Sequence, residues 1–462
     1  MFVKKIKGLN IALFNWYNDV MRLALTILLC KALRFILKSF GRGSSMPGKI
    51  ALKLYPSVLS KVELPEYVIA VTGSNGKTST VEMIHQVLEN AGLSVAYNYE
   101  GSNQIDGVAT LILTNCSTEG IFKKDILLIE TDERYAQYTF EHVKPTHYVI
   151  TNLYRDQMTR NGNPEFVLNE IRKSINKTST LILNSDDPLI SSLDSNDIIS
   201  YYFGINDNQY TKEVSDFIYD DGSYCPRCKS KLIYDYRQFG HIGNYRCTKC
   251  KFKRKNPDFY ISDINLDNGE LIINNKYEIK LAFNSIYNAY NILAAYAVTN
   301  LIGVKPKVIV EALNNYLVKN GRVKHFKLGL HRGTLLISKH ENSVSYNKNI
   351  DYVVSQKENV TVFLMVDAIS RKYFTSETSW LWDINFERLS KNNVVNIVVT
   401  GLYASDVLTR LQYANIDMSK VYANKNIHEA IEYTKENAEG YIYVLTCFSD
   451  ENKFINEVNA TW

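Results

Sequence analysis

Short apolar runs rich in β-branched residues recur along the chain, and amphipathic stretches separate them. In the first two thirds, four such runs predict buried strands, at 68–72, 125–129, 148–152 and 181–184. After the first run, Val81, Ile84 and Leu88 follow helical spacing and stop near Gly92, as expected of an amphipathic helix. Because strands alternate with helical stretches, we expect an α/β fold built on a doubly wound, mostly parallel sheet.

The same alternation continues in the C-terminal third. Further runs predict a helix at 405–414 and strands at 334–338, 361–365, 394–400 and 441–446. These elements suffice for a second, smaller C-terminal α/β domain. We therefore predict three regions, namely an N-terminal amphipathic helical segment at 1–45, a large domain at 46–323 and a C-terminal domain at 324–462.

The N-terminal stretch 20–40 is mostly apolar but carries basic residues at intervals. Arg22, Lys31, Arg34 and Lys38 interrupt it, so no run reaches the roughly 20 apolar residues that a membrane-spanning helix needs. Lys31, Arg34 and Lys38 form one basic stripe on an otherwise apolar helix. Such a helix either lies on an anionic membrane surface or packs on its own domain with its lysines turned outward.

Composition narrows the class of protein. A chain of 462 residues, 45% hydrophobic and 22% charged, has room for two or three domains with their own cores. Its net charge of +5 gives no case for nucleic-acid binding. Its seven cysteines include two Cys-x-x-Cys pairs, and no secretory signal precedes them, so we expect reduced thiols in a cytoplasmic protein.

The turn after the first predicted strand has the composition of a phosphate-binding loop. It reads Thr-Gly-Ser-Asn-Gly-Lys-Thr-Ser over residues 72–79 and opens a helix, so free backbone N–H groups and the helix dipole both favour an anion. Lys77 would be a catalytic residue on the β- and γ-phosphates, and the Thr78 hydroxyl would hold Mg²⁺. A chance Gly-Lys-Thr in a loop is the alternative. The residues predicted to bind nucleotide here are Gly73, Asn75, Gly76, Lys77, Thr78 and Ser79.

Acidic residues follow the second predicted strand, in Glu-Thr-Asp-Glu at 130–133. The carboxyl ends of strands in an open α/β sheet face the ligand site. Glu130 is therefore predicted to be catalytic, completing the magnesium shell that Thr78 begins. Asp132 and Glu133 are further candidates for that role, although acidic residues also end strands for solubility alone.

Two asparagines, Asn288 and Asn291, lie on one face of a helix predicted at 287–295. An asparagine side chain offers a donor and an acceptor together, which suits the edge of an adenine ring. The pair is therefore a candidate nucleotide contact. Helix capping or packing is the other interpretation.

Two Cys-x-x-Cys pairs predict a zinc ribbon at about 222–254. Cys225 and Cys228 form the first pair, and Cys247 and Cys250 form the second after 18 intervening residues. This spacing is typical of a tetrahedral Cys₄ zinc site, and four protein ligands make the metal structural. Free thiols or disulfides are the alternatives, and a reducing compartment disfavours disulfides.

The shortened loop Thr-Gly-x-Asn-Gly-Lys-Thr resembles that of Mur ligases and folylpolyglutamate synthetases. Further along the chain come Glu-x-Asp-Glu, Thr-Asn-x-x-Arg-Asp-Gln, Asn-x-Asp-Asp-Pro and Tyr-Asn-Ala-Tyr-Asn, in family order. Together these motifs resemble the MurT family, the Mur-ligase-like subunits of lipid II isoglutaminyl synthase, over roughly residues 40–326. The resemblance implies a Mur-ligase-type P-loop domain with a zinc insert. It also implies that Asn184 and Asp186 lie near the nucleotide and Arg322 near its phosphates.

The resemblance also implies an activity and a partner. Members of the family use ATP and Mg²⁺ to convert a carboxylate into an acyl phosphate, which an amine then attacks. The carboxylate is the α-carboxyl of D-glutamate in the stem peptide of lipid II, a membrane-held substrate. The amine is ammonia from a GatD-type glutaminase subunit in a heterodimer. The expected location is the cytoplasm, at the inner face of the cell membrane.

The C-terminal domain departs from the family pattern. Asn-Ser-Val-Ser at 342–345 stands where the family carries Asn-Pro-Ala-Gly. In the family, an aspartate in the loop before Ser-Trp orients the glutaminase histidine across the subunit interface, and here only Glu377 stands at that position. A glutamate can orient an imidazole, but its extra methylene moves the carboxylate, and a displacement of about 1 Å can cost about a hundredfold in rate.

These departures keep other functions open. The chain could be a divergent paralogue that ligates another amine or another carboxylate. It could also be a non-catalytic scaffold that binds nucleotide and a partner. The intact Lys77, Thr78 and Glu130 argue against the scaffold, because a protein without catalysis has no need of a complete Mg²⁺–ATP shell.

Overall fold

The structure is a computed structural model that describes residues 2–41, 43–99, 101–317, 323–369 and 377–460, with the backbone alone for 2–18 and 460. The chain forms two compact units. The first comprises Met1–Leu153, Glu165–Val214 and Gly222–Leu317. The second comprises Tyr154–Pro164, Ser215–Asp221 and Val318–Trp462.

Helices and strands alternate through most of the described chain. The α-helices are α1 (Phe2–Lys38), α2 (Met46–Leu54), α3 (Lys77–Asn90), α4 (Ile105–Thr114), α5 (Ala136–Phe140), α6 (Met158–Asn161), α7 (Pro164–Ser174), α8 (Pro188–Ser191), α9 (Ile286–Leu301), α10 (Pro306–Asn314), α11 (Ser343–Val354), α12 (Ala404–Tyr413), α13 (Ile427–Asn437) and α14 (Glu451–Ala460). Short 3₁₀ turns occupy Val58–Lys61, Ser379–Asp383, Phe386–Ser390 and Met418–Lys420.

The strands are β1 (Tyr67–Thr72), β2 (Val95–Tyr97), β3 (Ile126–Glu130), β4 (His147–Ile150), β5 (Thr180–Asn184), β6 (Ser200–Ile205), β7 (Leu232–Phe239), β8 (Ile242–Cys247), β9 (Phe259–Asn265), β10 (Glu270–Ile273), β11 (Tyr277–Lys280), β12 (Val323–Leu328), β13 (His331–Ser338), β14 (Val360–Met365), β15 (Val394–Thr400), β16 (Val421–Asn424) and β17 (Tyr441–Cys447). Each strand predicted from an apolar run is present, with ends that differ by up to three residues.

A nine-stranded sheet forms the centre of the first unit, in the order β11-β10-β9-β6-β5-β4-β1-β3-β2. In this order, every neighbouring pair of strands between β9 and the edge strand β2 is parallel, which confirms the predicted mostly parallel sheet. At one edge, β10 and β11 add an antiparallel hairpin that the apolar runs did not predict. The register places Thr72 of β1 beside Ile150 of β4, and Val71 beside Glu130 of β3, so these strands end at one edge of the sheet.

Helices cover both faces of this sheet, as expected of a doubly wound fold. On one face, Val68, Leu127 and Ile129 pack in a core with α1, α2 and α4. On the opposite face, α3 packs on β1 and β3, and α9 packs on β4, β5 and β6. The strands are buried on both sides, which explains why they appear in the sequence as continuous apolar runs.

An insert between β6 and β9 carries the two cysteine pairs. Its hairpin, β7 with β8, is antiparallel and separate from the large sheet. The hairpin has a small core of its own, made by Cys225, Leu232, Tyr245 and Phe252. The insert is therefore an antiparallel hairpin with its own small core, and it carries all four cysteines of the two pairs.

The second unit is built on a six-stranded sheet in the order β12-β13-β17-β14-β15-β16. β12 is antiparallel to β13, and the remaining pairs are parallel. A core on one face includes Trp380, Phe386 and residues of α11 and α12. The smaller C-terminal α/β fold predicted from the sequence is confirmed.

Helix α1 covers the predicted amphipathic stretch as far as Lys38 and begins well before it, at Phe2. Leu23, Ile27 and Cys30 are buried against the first unit, where α1 packs on α2 and α4. Among the described residues, no helix has both the length and the hydropathy of a membrane span.

Candidate active site

The loop between β1 and α3 has the backbone conformation of a phosphate cradle. Gly73 and Gly76 adopt φ values of 135° and 86°, which side chains other than glycine rarely accept. A Cβ atom on Gly73 would lie 2.2 Å from Thr151 Oγ1, and one on Gly76 would lie 2.1 Å from Asn291 Oδ1. Both glycines are therefore required by conformation and by space, and helix α3 begins directly after them at Lys77.

Two residues that follow β4 hold this loop in place. The Asn152 side chain accepts from Asn75 N–H at 2.9 Å and donates to the Asn75 carbonyl at 3.0 Å. The Asn152 carbonyl accepts from Ser74 N–H at 2.9 Å, and Thr151 Oγ1 donates to the Asn75 carbonyl at 2.9 Å. Reasoning from the sequence did not assign Thr151 and Asn152 to the site, although their position after a central strand is the signal that identified Glu130.

Lys77 is buried and its ammonium group is engaged inside the protein. Nζ donates to the Gly73 carbonyl and to the Glu133 carboxylate. Burial alone would lower the pKa of Lys77, but the carboxylates of Glu133 and Glu130 outweigh it, so the pKa lies above its ordinary value. Lys77 is thus a fixed positive charge at the mouth of a phosphate cradle. Glu133, considered from the sequence as a metal ligand, is its ion-pair partner here.

Oxygen donors that suit Mg²⁺ flank the loop. Thr78 and Ser79 are half-buried in the first turn of α3. Glu130 ends β3, and Asn98 fixes its backbone by accepting from Glu130 N–H and donating to its carbonyl, both at 2.8 Å. A hydroxyl and a carboxylate are hard ligands of the type that Mg²⁺ prefers, so Thr78 and Glu130 fit this ion.

Asn184 and Asp186 lie deeper, at the end of β5. Asn184 Nδ2 donates to the Thr151 carbonyl at 2.9 Å, which links β5 to the residues that hold the loop. Asp186 has no exposed surface, and its carboxylate binds Arg254, Ile205 N–H and the Tyr290 hydroxyl at 2.6–2.7 Å. Asp186 therefore ties the insert and α9 to the sheet. A nucleotide contact by either residue remains a prediction.

The two candidate asparagines of α9 differ in their surroundings. Asn291 lies against Gly76 of the phosphate loop. Asn288 is buried in the first turn of the helix, and its Nδ2 donates to the Phe283 carbonyl at 3.1 Å. The structure therefore brings Asn291 to the loop, whereas Asn288 supports the helix start.

The four cysteines of the insert converge. Their sulfur atoms lie within 4.8 Å of one another, with Cys225 and Cys250 at 3.7 Å and Cys228 and Cys247 at 3.4 Å. A tetrahedral zinc ion with bonds of about 2.3 Å separates its sulfur ligands by about 3.8 Å. Cys247 Sγ also accepts the N–H groups of Lys249 and Cys250 at 3.3 Å. The arrangement fits a structural zinc ion.

The predicted residues of the C-terminal region are only partly described. Arg322 lies outside the described residues. Glu377 is exposed, and its carboxylate accepts from Ser379 N–H at 2.8 Å. Hydrogen bonds from Ser379 lower the pKa of Glu377 below its usual range, so this carboxylate stays ionised at neutral pH.

A polar cluster in the second unit was not identified from the sequence. Asn342 Nδ2 donates to Asp156 at 2.6 Å. The buried carboxylate of Glu341 accepts from the backbone and the hydroxyl of Thr159 at 2.9–3.0 Å. Asp156 belongs to the Arg-Asp-Gln segment of the motif series, and Thr159 lies two residues after that segment. Their partners are almost two hundred residues away, and no local pattern reveals this pairing.

Comparison with known proteins identifies the family. The Mur ligase middle domain matches residues 71–299, and the MurT ligase C-terminal domain matches residues 340–450. The MurT subunit of glutamine-hydrolysing lipid II isoglutaminyl synthase from Staphylococcus aureus is 31% identical over 426 residues, which cover 91% of this chain and 94% of that protein. The corresponding Streptococcus pneumoniae subunit is 27% identical, over 93% of this chain and 95% of that protein.

Solved structures agree on the fold. A pseudomurein peptide ligase from Methanothermus fervidus matches with a TM-score of 0.66 at 21% identity, covering 87% of this chain and 80% of its own. MurF from Acinetobacter baumannii matches with a TM-score of 0.60 at 16% identity, covering 89% of this chain and 80% of that protein. The fold is thus that of a Mur ligase, with a four-cysteine insert. By its sequence, the chain belongs to the MurT family, the Mur-ligase-type subunits of lipid II isoglutaminyl synthase.

Proposed function

We propose that this chain amidates the α-carboxyl of D-glutamate in the lipid II stem peptide, using ATP. One observation carries the proposal, namely a phosphate loop with a buried, charged Lys77 in a chain of the MurT family. The curated relatives are named for this reaction. The Mur ligase family to which the middle domain belongs uses ATP.

The residues of the loop would bind the triphosphate. Asn152 occupies the N–H groups of Ser74 and Asn75, so these residues would shape the loop, whereas the N–H groups from Gly76 to Ser79 would contact the phosphate oxygens. Lys77 would neutralise charge on the transferred group. Thr78 and Glu130 would hold Mg²⁺, which would offset the negative charge of the phosphates. The Glu133 carboxylate fixes the Lys77 ammonium group beside the loop, which would position its charge for the transferred phosphoryl group.

The remaining predicted contacts lie around this loop. We propose that Asn291, next to Gly76, contacts the nucleotide directly, and that Arg322 lies near its phosphates. Asn288 and Asn184 would act by supporting α9 and Thr151, and Asp186 by anchoring the insert to the sheet. The insert itself would bind one structural zinc ion through its four cysteines.

The chemistry proceeds in two balanced steps. A carboxylate oxygen of D-glutamate attacks the γ-phosphorus, the bond to the β-phosphate oxygen breaks, and ADP leaves. Ammonia then attacks the carbonyl carbon of the acyl phosphate, loses a proton, and expels inorganic phosphate to give the amide. Since neither step needs a covalent bond to the protein, positioning and charge neutralisation are the work of the chain.

We propose that a GatD-type glutaminase subunit supplies the ammonia, in a heterodimer. The relatives are named as subunits of a glutamine-hydrolysing enzyme. Glu377 would orient the imidazole of the partner's active site, and its lowered pKa suits this role, because only the ionised carboxylate stabilises an imidazolium.

The cytoplasmic face of the cell membrane is the proposed place of the reaction. A lipid-linked substrate and a soluble ATP supply meet there. We also retain the boundaries 1–45, 46–323 and 324–462 as the proposed functional regions, with the ribbon at about 222–254.

The test is an amidation assay with the purified full chain, Mg²⁺–ATP and lipid II that carries unamidated D-glutamate. With ammonium as the amine, mass spectrometry should show conversion of acid to amide. Lys77→Ala should abolish conversion, whereas Lys124→Ala, which changes an exposed lysine just ahead of β3, should not. ATP binding without amide would contradict the proposal and favour a divergent paralogue or a non-catalytic scaffold.

The partner is tested in parallel. With glutamine and a GatD-type subunit in place of ammonium, amide should form, and Glu377→Gln should lower this rate without lowering the ammonium rate. Equal losses with both amine sources would contradict the interface role of Glu377.

A further inference from the structure

Positive charge is concentrated at the N-terminal end of the chain. Residues 1–54 hold ten Lys or Arg against one acidic residue, Asp19, a net charge of +9. The other 408 residues hold 43 Lys or Arg against 47 Asp or Glu, a net charge of −4. The two N-terminal helices therefore carry a charge opposite in sign to the rest of the protein.

The same region exposes an apolar stripe along α1. Its members recur at helical spacing of three and four residues, so they share one face of the helix. This face is opposite to Leu23, Ile27 and Cys30, which pack on the domain. The outer stripe consists of Met21 (44% exposed), Leu25 (61%), Leu28 (51%), Leu29 (38%), Phe35 (83%) and Ile36 (55%), and Phe40 (73%) lies in the turn just after the helix.

Of the described basic side chains of α1, Lys31, Arg34 and Lys38 lie beside this stripe. Arg22 lies on the same face as the stripe and donates to the Leu54 carbonyl at 2.6 Å. Lys31 donates to the Cys116 carbonyl at 2.6 Å, and Arg34 donates to the Gly43 carbonyl at 3.2 Å. Lys38 on α1, and Lys49 and Lys53 on α2, are exposed. An apolar strip with a cationic border matches the profile of a lipid surface with anionic headgroups.

We propose that α1 lies in the plane of an anionic lipid bilayer, with the outer stripe in the boundary between headgroups and acyl chains. A protein partner is the weaker fit, because ten basic residues with one acid would have to meet an equally one-sided acidic surface. Among the described residues, no helix combines the length with the apolar character that spanning a bilayer requires. The proposal is independent of the amidation reaction, since it concerns any anionic bilayer and no particular substrate.

Vesicle flotation with the full chain tests the proposal. The vesicles contain phosphatidylcholine alone, or with phosphatidylglycerol, and no lipid II. The chain should float with the anionic vesicles and not with the neutral ones, and raising the salt concentration should release it. Leu25→Gln/Phe35→Gln should weaken binding by at least tenfold, because two inserted side chains become polar.

Matched variants distinguish the contribution of the apolar stripe to vesicle binding from the contribution of the basic side chains. Val214→Gln/Leu330→Gln changes two exposed apolar side chains elsewhere and should bind as the wild type does. Lys38→Gln/Lys49→Gln should weaken binding by about fivefold for each charge removed, whereas Lys123→Gln/Lys124→Gln should not. ATP binding by every variant shows that the fold and the phosphate loop are intact.

Three results would overturn the proposal. Equal flotation with neutral and anionic vesicles would remove the role of charge. Wild-type binding by Leu25→Gln/Phe35→Gln would remove the role of the stripe. Absence of flotation, combined with a dimer that the same variant converts to a monomer, would instead assign the stripe to an interface between copies of the chain.

Discussion

At the scale of single residues, the site depends on a buried lysine whose charge is balanced from within the protein. The Lys77 ammonium group contacts Glu133 and the Gly73 carbonyl, and Glu130 lies on the neighbouring strand. Removing one partner of such a pair leaves an uncompensated buried charge, which costs about 3–5 kcal/mol. The sequence predicted Lys77 and Glu130 because local patterns carry them. Nothing local distinguished Glu133 as an ion-pair partner from Glu133 as a metal ligand.

The first prediction concerns this ion pair. Lys77→Met should lower the free energy of unfolding by about 3 kcal/mol or more, because Glu133 stays buried without its cation. Lys77→Met/Glu133→Gln should recover part of that loss while remaining inactive. Urea denaturation measures both variants, with Lys124→Met as the control. A double variant as unstable as the single one would contradict the pairing.

The second prediction concerns Glu341 and pH. Burial raises the pKa of Glu341, so between its unfolded and folded pKa values the native state binds more protons. Stability contributed by the protonated form is therefore lost as the pH rises from about 4.3 through the folded pKa. Glu341→Gln should gain stability relative to the wild type over this window.

Urea denaturation of wild type and variant at pH 4 to 8 would show this difference. Exposed Glu358 supplies the control, Glu358→Gln, which should follow the wild type at every pH. A Glu341→Gln variant that also follows the wild type would contradict the proposed titration. Asp156 and Glu377 also act on Glu341, and both raise its pKa.

At the scale of elements, periodicity predicted the strands that are buried on both faces, together with helices α3, α9 and α12. The antiparallel strands β10 and β11 were not predicted from the sequence, although Asn268 and Gly269 lie in the turn before β10. These strands alternate polar and apolar residues and lie at the edge of the sheet, where a continuous apolar run is not required. The ribbon was predicted by cysteine spacing alone, since its core is too small to leave an apolar pattern.

The third prediction concerns the ribbon. A core of this size does not hold a hairpin without a metal, so the native chain should contain about one zinc ion. Cys225→Ser should lose the zinc and increase hydrogen exchange in β7 and β8, whereas Lys249→Ala in the second knuckle should change neither. A native protein without zinc would contradict the assignment.

At the scale of the whole molecule, two α/β units account for the chain, and the first carries the phosphate loop. The fold class and the family were predictable because the loop, the cysteine pairs and the motif order are local features of the sequence. The assignment of Tyr154–Pro164 and Ser215–Asp221 to the second unit was not predictable, since it depends on pairings such as Thr159 with Glu341. The exposed face of α1 likewise became evident only when its packing was known.

The central claim is that this chain joins ammonia to the D-glutamate carboxyl through an acyl phosphate. Lipid II labelled with ¹⁸O in both oxygens of that carboxyl tests it most directly. The carboxylate oxygen that attacks ATP leaves with the phosphoryl group, so each amide formed should be matched by one inorganic phosphate carrying one ¹⁸O atom. Amide formed with unlabelled phosphate, or with the label in AMP, would contradict the acyl phosphate and with it the proposed mechanism.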